Sequence, residues 1–221
     1  MQPWFRIFLV CVLGWGLSVS GGVIYNFATG VDEATGQVLA DNQPDNNWII
    51  SNVDSPGDGT VPRPATVTNP EGGWNASVPI AGTGIITRGD SYQGQTTAYY
   101  YTHQFTLNTV HFTQFAMSGK VWADDQVQVL LNNNLVLTRT GDLWNTLPTT
   151  FSANNQSFFV NGLNTLTFIV WNSGSGPTGL DVIGSVTAVP EASEWVMLVG
   201  ALGMAGLCYR RQLSGWWQPA N

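Results

Sequence analysis

A two-residue alternation of apolar and polar side chains limits this chain to extended structure. Val127, Val129 and Leu131 alternate with Gln126 and Gln128, and Leu166, Phe168 and Val170 alternate with Thr165 and Thr167. Successive side chains of a strand point to opposite faces, so each run offers one apolar face to bury and one polar face to water. The triplet Asn132-Asn133-Asn134 tolerates left-handed backbone and joins Val127–Leu131 to Leu135–Leu137 as a hairpin. Further strands are predicted over Val23–Phe27, Trp48–Val53, Gly84–Thr87, Ala98–Leu107, Phe112–Val121 and Leu180–Thr187. No stretch between the chain ends repeats its apolar residues at helical spacing. Eight or nine short strands without an amphipathic helix define an all-β fold, an antiparallel β-sandwich. Asp54–Gly73, rich in Pro, Gly, Asp and Thr, is predicted to be a long surface loop.

Charge narrows the partners. Charged residues make up 10% of the chain, and Lys120 is the only lysine. From Gly21 to Val189, four basic residues (Arg63, Arg88, Lys120, Arg139) face twelve acidic ones. The resulting charge of about −8 comes with no Lys/Arg cluster to neutralise phosphates, which excludes nucleic acid as a partner. Cys11 and Cys208 are the only cysteines, and both lie in apolar terminal segments. The region between them therefore relies on neither a disulfide nor a Cys-ligated metal.

Both ends of the chain carry addresses. Ile7–Val19 follows Arg6, is apolar apart from glycine and Ser18, and ends beside Ser20. One positive charge, a core of about 13 residues and small residues at the exit make residues 1–20 a secretory signal peptide, cut between Ser20 and Gly21. At the other end, Val196–Tyr209 carries no charge and precedes Arg210-Arg211. Residues 195–209 are expected to form a single transmembrane helix, although a run of about 15 residues is short of the usual span. The arginine pair would stay in the cytoplasm, with Trp195 and Tyr209 at the headgroup level. Gly200, Gly203 and Gly206, with Ala201 and Ala205, supply a small-residue face for helix contact.

The stretch Ala188-Val189-Pro190-Glu191-Ala192-Ser193-Glu194-Trp195, the apolar run and the arginine pair resemble the tail of PEP-CTERM proteins. In that family a Val-Pro-Glu-Pro-like motif precedes an apolar helix and a basic cluster. Ala192 stands where the family has its second proline, and residues 212–221 extend as a short tail past the arginines. The resemblance implies that residues 188–211 are a sorting signal, read through Val189, Pro190, Glu191, Arg210 and Arg211. It also implies an exosortase-type processing enzyme as partner. The protein would be anchored in the inner membrane before processing, and at the cell surface or in the extracellular matrix afterwards.

Ala123-Asp124-Asp125, Leu131–Asn134, Phe159–Leu166 and Gly176–Leu180 resemble a jelly-roll module of exported bacterial proteins, similar to galactose-binding-like domains. Thr29–Asp32 with Asp45 and Trp48 is similar to the start of such domains. The resemblance implies an antiparallel jelly-roll-type β-sandwich over residues 21–187. Related jelly rolls hold a structural calcium near their first and last strands, which here implicates Asp32 and Asp181 as metal ligands. Abundant oxygen donors and missing sulfur also favour calcium over zinc, although Asn52, Asp54 and Asp58 lack EF-hand spacing.

Catalytic signatures are missing. His103 and His111 fall in strand-like runs without metal-ligand spacing, and neither a Gly-x-Ser-x-Gly elbow nor a phosphate-binding glycine motif occurs. Asp124 and Asp125 are carboxylates of the type a glycosidase uses, but neighbouring strand residues point to opposite faces. They read as the turn before the hairpin, and the chain is not expected to be an enzyme. Trp74 and Trp144 lie in Gly- or Asn-flanked loops, where an indole can stack on a sugar ring. Trp48, Trp122 and Trp171 fall in strands and read as core, and Tyr99-Tyr100-Tyr101 presents rings to both faces of its sheet. Three functions stay open: a surface or matrix component that binds polysaccharide through Trp74 and Trp144, a structural surface protein without a ligand, and a polysaccharide hydrolase. The missing motifs disfavour the third.

Overall fold

Alternation in the sequence becomes alternation in burial. Along Gly162–Trp171, Asn164, Leu166, Phe168 and Val170 are buried, and the residues between them are not. The computed structural model describes residues 21–53, 62–68, 74, 79–88, 97–141, 143–174, 176–191, 200 and 202–203. The strands are β1 (Gly22–Ala28), β2 (Val31–Asp32), β3 (Gln37–Val38), β4 (Pro44–Val53), β5 (Arg63–Thr68), β6 (Ile85–Thr87), β7 (Ala98–Leu107), β8 (Phe112–Asp124), β9 (Gln126–Leu131), β10 (Asn134–Arg139), β11 (Thr149–Ala153), β12 (Gly162–Trp171) and β13 (Gly179–Pro190). Short 3₁₀ helices occupy Leu143–Asn145 and Gln156–Phe158.

Every strand pairing is antiparallel. One layer runs β10-β9-β12-β7-β4-β5, and the other places β1 and β6 beside β13, followed by β8 and β11. Pairing of β5 with β6 carries the sheet from one layer to the other. On the opposite side, Arg139 Nη1 of β10 donates to Thr149 Oγ1 of β11 at 3.1 Å, linking the two edge strands. The result is an all-β sandwich. Its core joins Trp48, Tyr101, Leu131 and Phe168 of the first layer to Phe27, Met117, Phe151 and Val182 of the second. Edge-to-face packing of Phe151 on Phe168, with centroids 5.8 Å apart, crosses between the layers. Tyr99 and Tyr101 are buried and Tyr100 is half-buried, so the tyrosine run splits as strand geometry requires.

The second layer contains a row of matched partners across four strands: Phe27, Gly184, Gly119 and Phe151. The two phenyl rings, 6.4 Å apart, lie over the two glycines and fill the space their missing side chains leave. A methyl group on Gly184 would come within 2.8 Å of the Ser118 carbonyl oxygen and closer still to the Phe27 ring. A methyl group on Gly119 would sit 2.6 Å from the Phe151 ring and closer still to the Ile183 carbonyl oxygen.

Several expectations need correction. The loop predicted over Asp54–Gly73 contains β5, whose Ala65 and Val67 point into the core. Pro62 and Pro64 disguise the strand in the sequence, because proline removes ladder donors. The last strand continues past residue 187 to Pro190, so Ala188, Val189 and Pro190 belong to the sheet. His111 is an exposed turn residue and not a strand residue, whereas His103 is buried in β7. The Asn132-Asn133 turn forms as expected, with φ of 50° and 65°. The expected signal peptide with Ser20, the loop aspartates Asp54 and Asp58, Arg210, Arg211 and the tail 212–221 lie outside the described residues. So does the expected membrane segment 195–209, apart from Gly200, Leu202 and Gly203, which are helical. Among the described residues no helix is long and apolar enough to cross a membrane.

Candidate functional site

The corner between β8 and β9 organises one end of the sandwich. Asp124 closes β8, Asp125 follows through a cis peptide bond, and β9 begins at Gln126. The backbone of Asp125 holds two neighbours: its N–H donates to Trp171 O, and its carbonyl accepts from Leu143 N–H, both at 3.0 Å. The second bond fixes the Leu143–Asn145 helix and therefore Trp144. The Asp124 carbonyl accepts from Thr178 Oγ1 at 2.8 Å, which pins the segment entering β13.

Side chains complete the corner. Trp74 donates its indole N–H to Asp124 Oδ2 at 2.7 Å and meets Trp122 edge-on, with centroids 5.1 Å apart. Trp122 and Ile85 form a small apolar cluster on the outer face of the second layer, and Trp74 caps it. Gly179 makes room for this cap, since a methyl group there would lie 3.3 Å from Trp74 and 2.9 Å from Ile85. Ser173 donates twice to Asp125 Oδ2, from its N–H at 2.8 Å and its Oγ at 2.6 Å. Burial pushes the Asp125 carboxyl up, but hydrogen bonding with the Asp124 side chain and with Ser173 outweighs it and leaves the group below its usual range.

Together these loops enclose a cleft of about 360 Å³, lined by Trp74, Asp124, Asp125, Trp144, Asn172, Ser173, Gly174, Gly176 and Pro177. Trp144 is 37% exposed, so much of its indole is open to solvent. Trp74 and Trp144, far apart in sequence, both line it. Asp124 and Asp125 were expected on opposite faces, yet both are buried side chains of the same cleft, because they form a corner and not a straight strand. Trp122 is buried outside the main core, and Trp171 is only half-buried at the end of β12, so of the three strand tryptophans only Trp48 is a central core residue. Sequence reasoning missed Asn172 and Ser173. The only signal was the short polar, glycine-rich stretch that follows Trp171.

The other candidate positions lie elsewhere. Asp32 Oδ1 accepts from the N–H groups of Ala34 and Thr35 and caps its own turn. Asp181 is fully buried and accepts from Thr29 Oγ1 (3.1 Å), Thr83 Oγ1 (2.6 Å) and Ile80 N–H (2.5 Å). Burial pushes its carboxyl up to about 6 in spite of those bonds. The two aspartates share no hydrogen-bond partner, and hydrogens already face the Asp181 oxygens where a calcium ion would need free lone pairs. That arrangement does not fit a cation. No group of three or more His, Cys, Asp or Glu side chains suited to a metal occurs among the described residues. Val189 and Pro190 end β13, and Glu191 N–H donates to His111 O at 2.9 Å, at the far end of that strand from the cleft. Gly21 leads directly into β1.

No protein-family model matches the chain, and no curated protein matches it. It overlaps an FMN-binding beta-glucuronidase from Faecalibacterium prausnitzii L2-6 at 14% identity and a TM-score of 0.38, over 74% of this chain but only 23% of that one. It overlaps a family 35 carbohydrate binding module from Clostridium thermocellum at 12% identity and a TM-score of 0.35, over 73% and 97%. A CBM35 from Paenibacillus barcinonensis overlaps at 14% identity and a TM-score of 0.34, over 74% and 98%. Overlaps at this level are partial.

Proposed function

We propose that the protein is exported and held at the cell surface, and that its sandwich binds polysaccharide in the cleft between Trp74 and Trp144. The observation that supports this reading is that two indoles and two hydrogen-bonding carboxyls line one open cleft. Indole faces stack on the apolar faces of sugar rings, and polar groups at the margin hold ring hydroxyls. The same carboxyls do not suit hydrolysis. They are chain neighbours and not a pair set across a cleft, and each already accepts within the protein, Asp124 from Trp74 and Asp125 twice from Ser173.

The two tryptophans should behave differently. Trp144→Ala removes an exposed ring, so retardation in a polysaccharide gel should weaken roughly tenfold, with the melting temperature nearly unchanged. Trp74→Ala also strips the cap from Trp122 and the donor from Asp124, and should lower stability by about 2–4 kcal/mol. Unaltered retardation in both variants would remove the cleft from polysaccharide binding.

Export and sorting form the other half of the reading, supported by the apolar ends and by the Val189-Pro190-Glu191 motif. In a host with an exosortase-type enzyme, the mature chain should lack residues 1–20 and the part beyond the motif, by intact mass. A chain recovered at full mass would count against it.

A further inference from the structure

The donors that surround the cleft are largely engaged within the protein. Trp74 Nε1 donates to Asp124, Ser173 N–H and Oγ donate to Asp125, and Asn172 Nδ2 donates to Gly176 O at 3.2 Å. Asn172 is only 4% exposed, lines the cleft, and its Oδ1 has no hydrogen-bond partner among the described residues. What the side chains present is therefore mainly acceptors: two carboxyls and an amide oxygen. Among the described residues the Trp144 indole N–H and the second amide hydrogen of Asn172 are the side-chain donors left, and no lysine, arginine or histidine lines the cleft. Arg139 lies in the adjoining groove beyond Trp171, where it donates to Thr149. Asp125, held below its usual range, is ionised at neutral pH.

This balance of donors and charge discriminates between classes of sugar. A uronate or sulfated residue brings acceptors and negative charge to a site that already has both. A neutral sugar can donate its hydroxyls but gains nothing from the charge. An ammonium carries three donors, no acceptor and a positive charge, which carboxylates bind through charge-assisted bonds and indole faces through cation–π attraction. We propose that the cleft selects a glycan bearing free amines, with a hexosamine ammonium against Asp124, Asp125 and Asn172 Oδ1 and its ring on Trp144. This specificity rests on the polysaccharide-binding reading above and narrows it to one class.

Calorimetry on the full chain in mild detergent tests it with four tetrasaccharides: glucosamine, N-acetylglucosamine, glucose and galacturonic acid. At pH 6.5 the glucosamine tetramer should bind about tenfold more tightly than its N-acetylated form, and the uronate tetramer should bind least. Trp144→Ala and Asp125→Asn should each lose about tenfold for the amine. Asp41→Asn, which removes one charge from an exposed turn away from the cleft, should lose nothing. Equal affinity for the amine, acetylated and glucose tetramers would overturn the amine specificity while leaving polysaccharide binding intact. So would tighter binding of the uronate, with or without calcium, and so would a loss in Asp41→Asn equal to that in Asp125→Asn. If Asp125→Asn fails to fold, the ranking of the four ligands on the unaltered chain still decides. Binding of none of them would sink both readings.

Discussion

Replacing Asp181 with alanine should destabilise the protein by about 3 kcal/mol at neutral pH and lower its melting temperature by roughly 10 °C. Asp181 lies on the outer face of β13 and ties that strand to two segments: Thr29 after β1, and the Ile80–Thr83 turn before β6. The two threonine hydroxyls have alternative acceptors nearby, Val182 O at 3.4 Å and Ile80 O at 2.6 Å. The Ile80 N–H has none and would be left buried without a partner, which accounts for much of the loss. The penalty should also depend on pH. Burial raises the folded pKa of Asp181 from 3.8 to about 6, so the folded state holds this proton more tightly than the unfolded chain. The associated stability is fully present below pH 4 and is lost as pH rises through about 6. Denaturant titrations of both proteins should show a penalty that is larger at pH 4 than at pH 8, by up to about 3 kcal/mol. Asp45 and His103 also titrate with shifted pKa, but they do so in both proteins and cancel from the difference. Equal penalties at the two pH values would refute the buried-carboxyl account.

Gly184→Ala should cost about 2–4 kcal/mol, although the change adds one methyl group and removes no contact. The new methyl points into the core, against the Phe27 ring and the Ser118 carbonyl, and backbone cannot yield as a flexible side-chain tip does. Combining it with Phe27→Leu should recover part of the loss, because the smaller side chain vacates some of the contested space. Gly22→Ala serves as the control: it lies in the same sheet, at an exposed position of β1 with nothing within 4 Å, and should be near neutral. Similar melting curves for Gly184→Ala and Gly22→Ala would refute the close packing of the phenyl-glycine row.

Neither effect could be foreseen from the residues alone. Alternation revealed the long strands well, and the Ala98–Leu107 bounds agree with the structure. Alternation fails where chemistry interrupts it. Pro62 before β5 and Pro64 within it mimic a loop, and the short Thr149–Ala153 strand has only Phe151 and Ala153 to bury. The glycines of the phenyl row read as weak points in a strand, because the rings that occupy their space come from β1 and β11. At the cleft, composition and loop context singled out Trp74 and Trp144. They could not reveal that residues 124–125, 172–174 and 176–177 converge on those rings, since that convergence is set by β13 pairing with β8 and β12 with β9. Asp181 was legible as an acidic residue on the last strand. Its surroundings, all donors, were not.

The placement of β13 also has a mechanical side. The cleft lies at its Gly179 end, and the chain leaves the sandwich at its Pro190 end, about 40 Å away for a strand of this length. If the cleft holds a glycan as proposed, a pull on the chain beyond residue 191 would act along the strand axis. Under that load β13 slides against β8, whose register runs from Asp124 to Phe112, and against β1 on its other side. The ladder bonds then strain together and not one after another, as they would if the strand were peeled from an edge. Tension applied between the cleft and the C-terminal end of β13 would therefore be carried in shear.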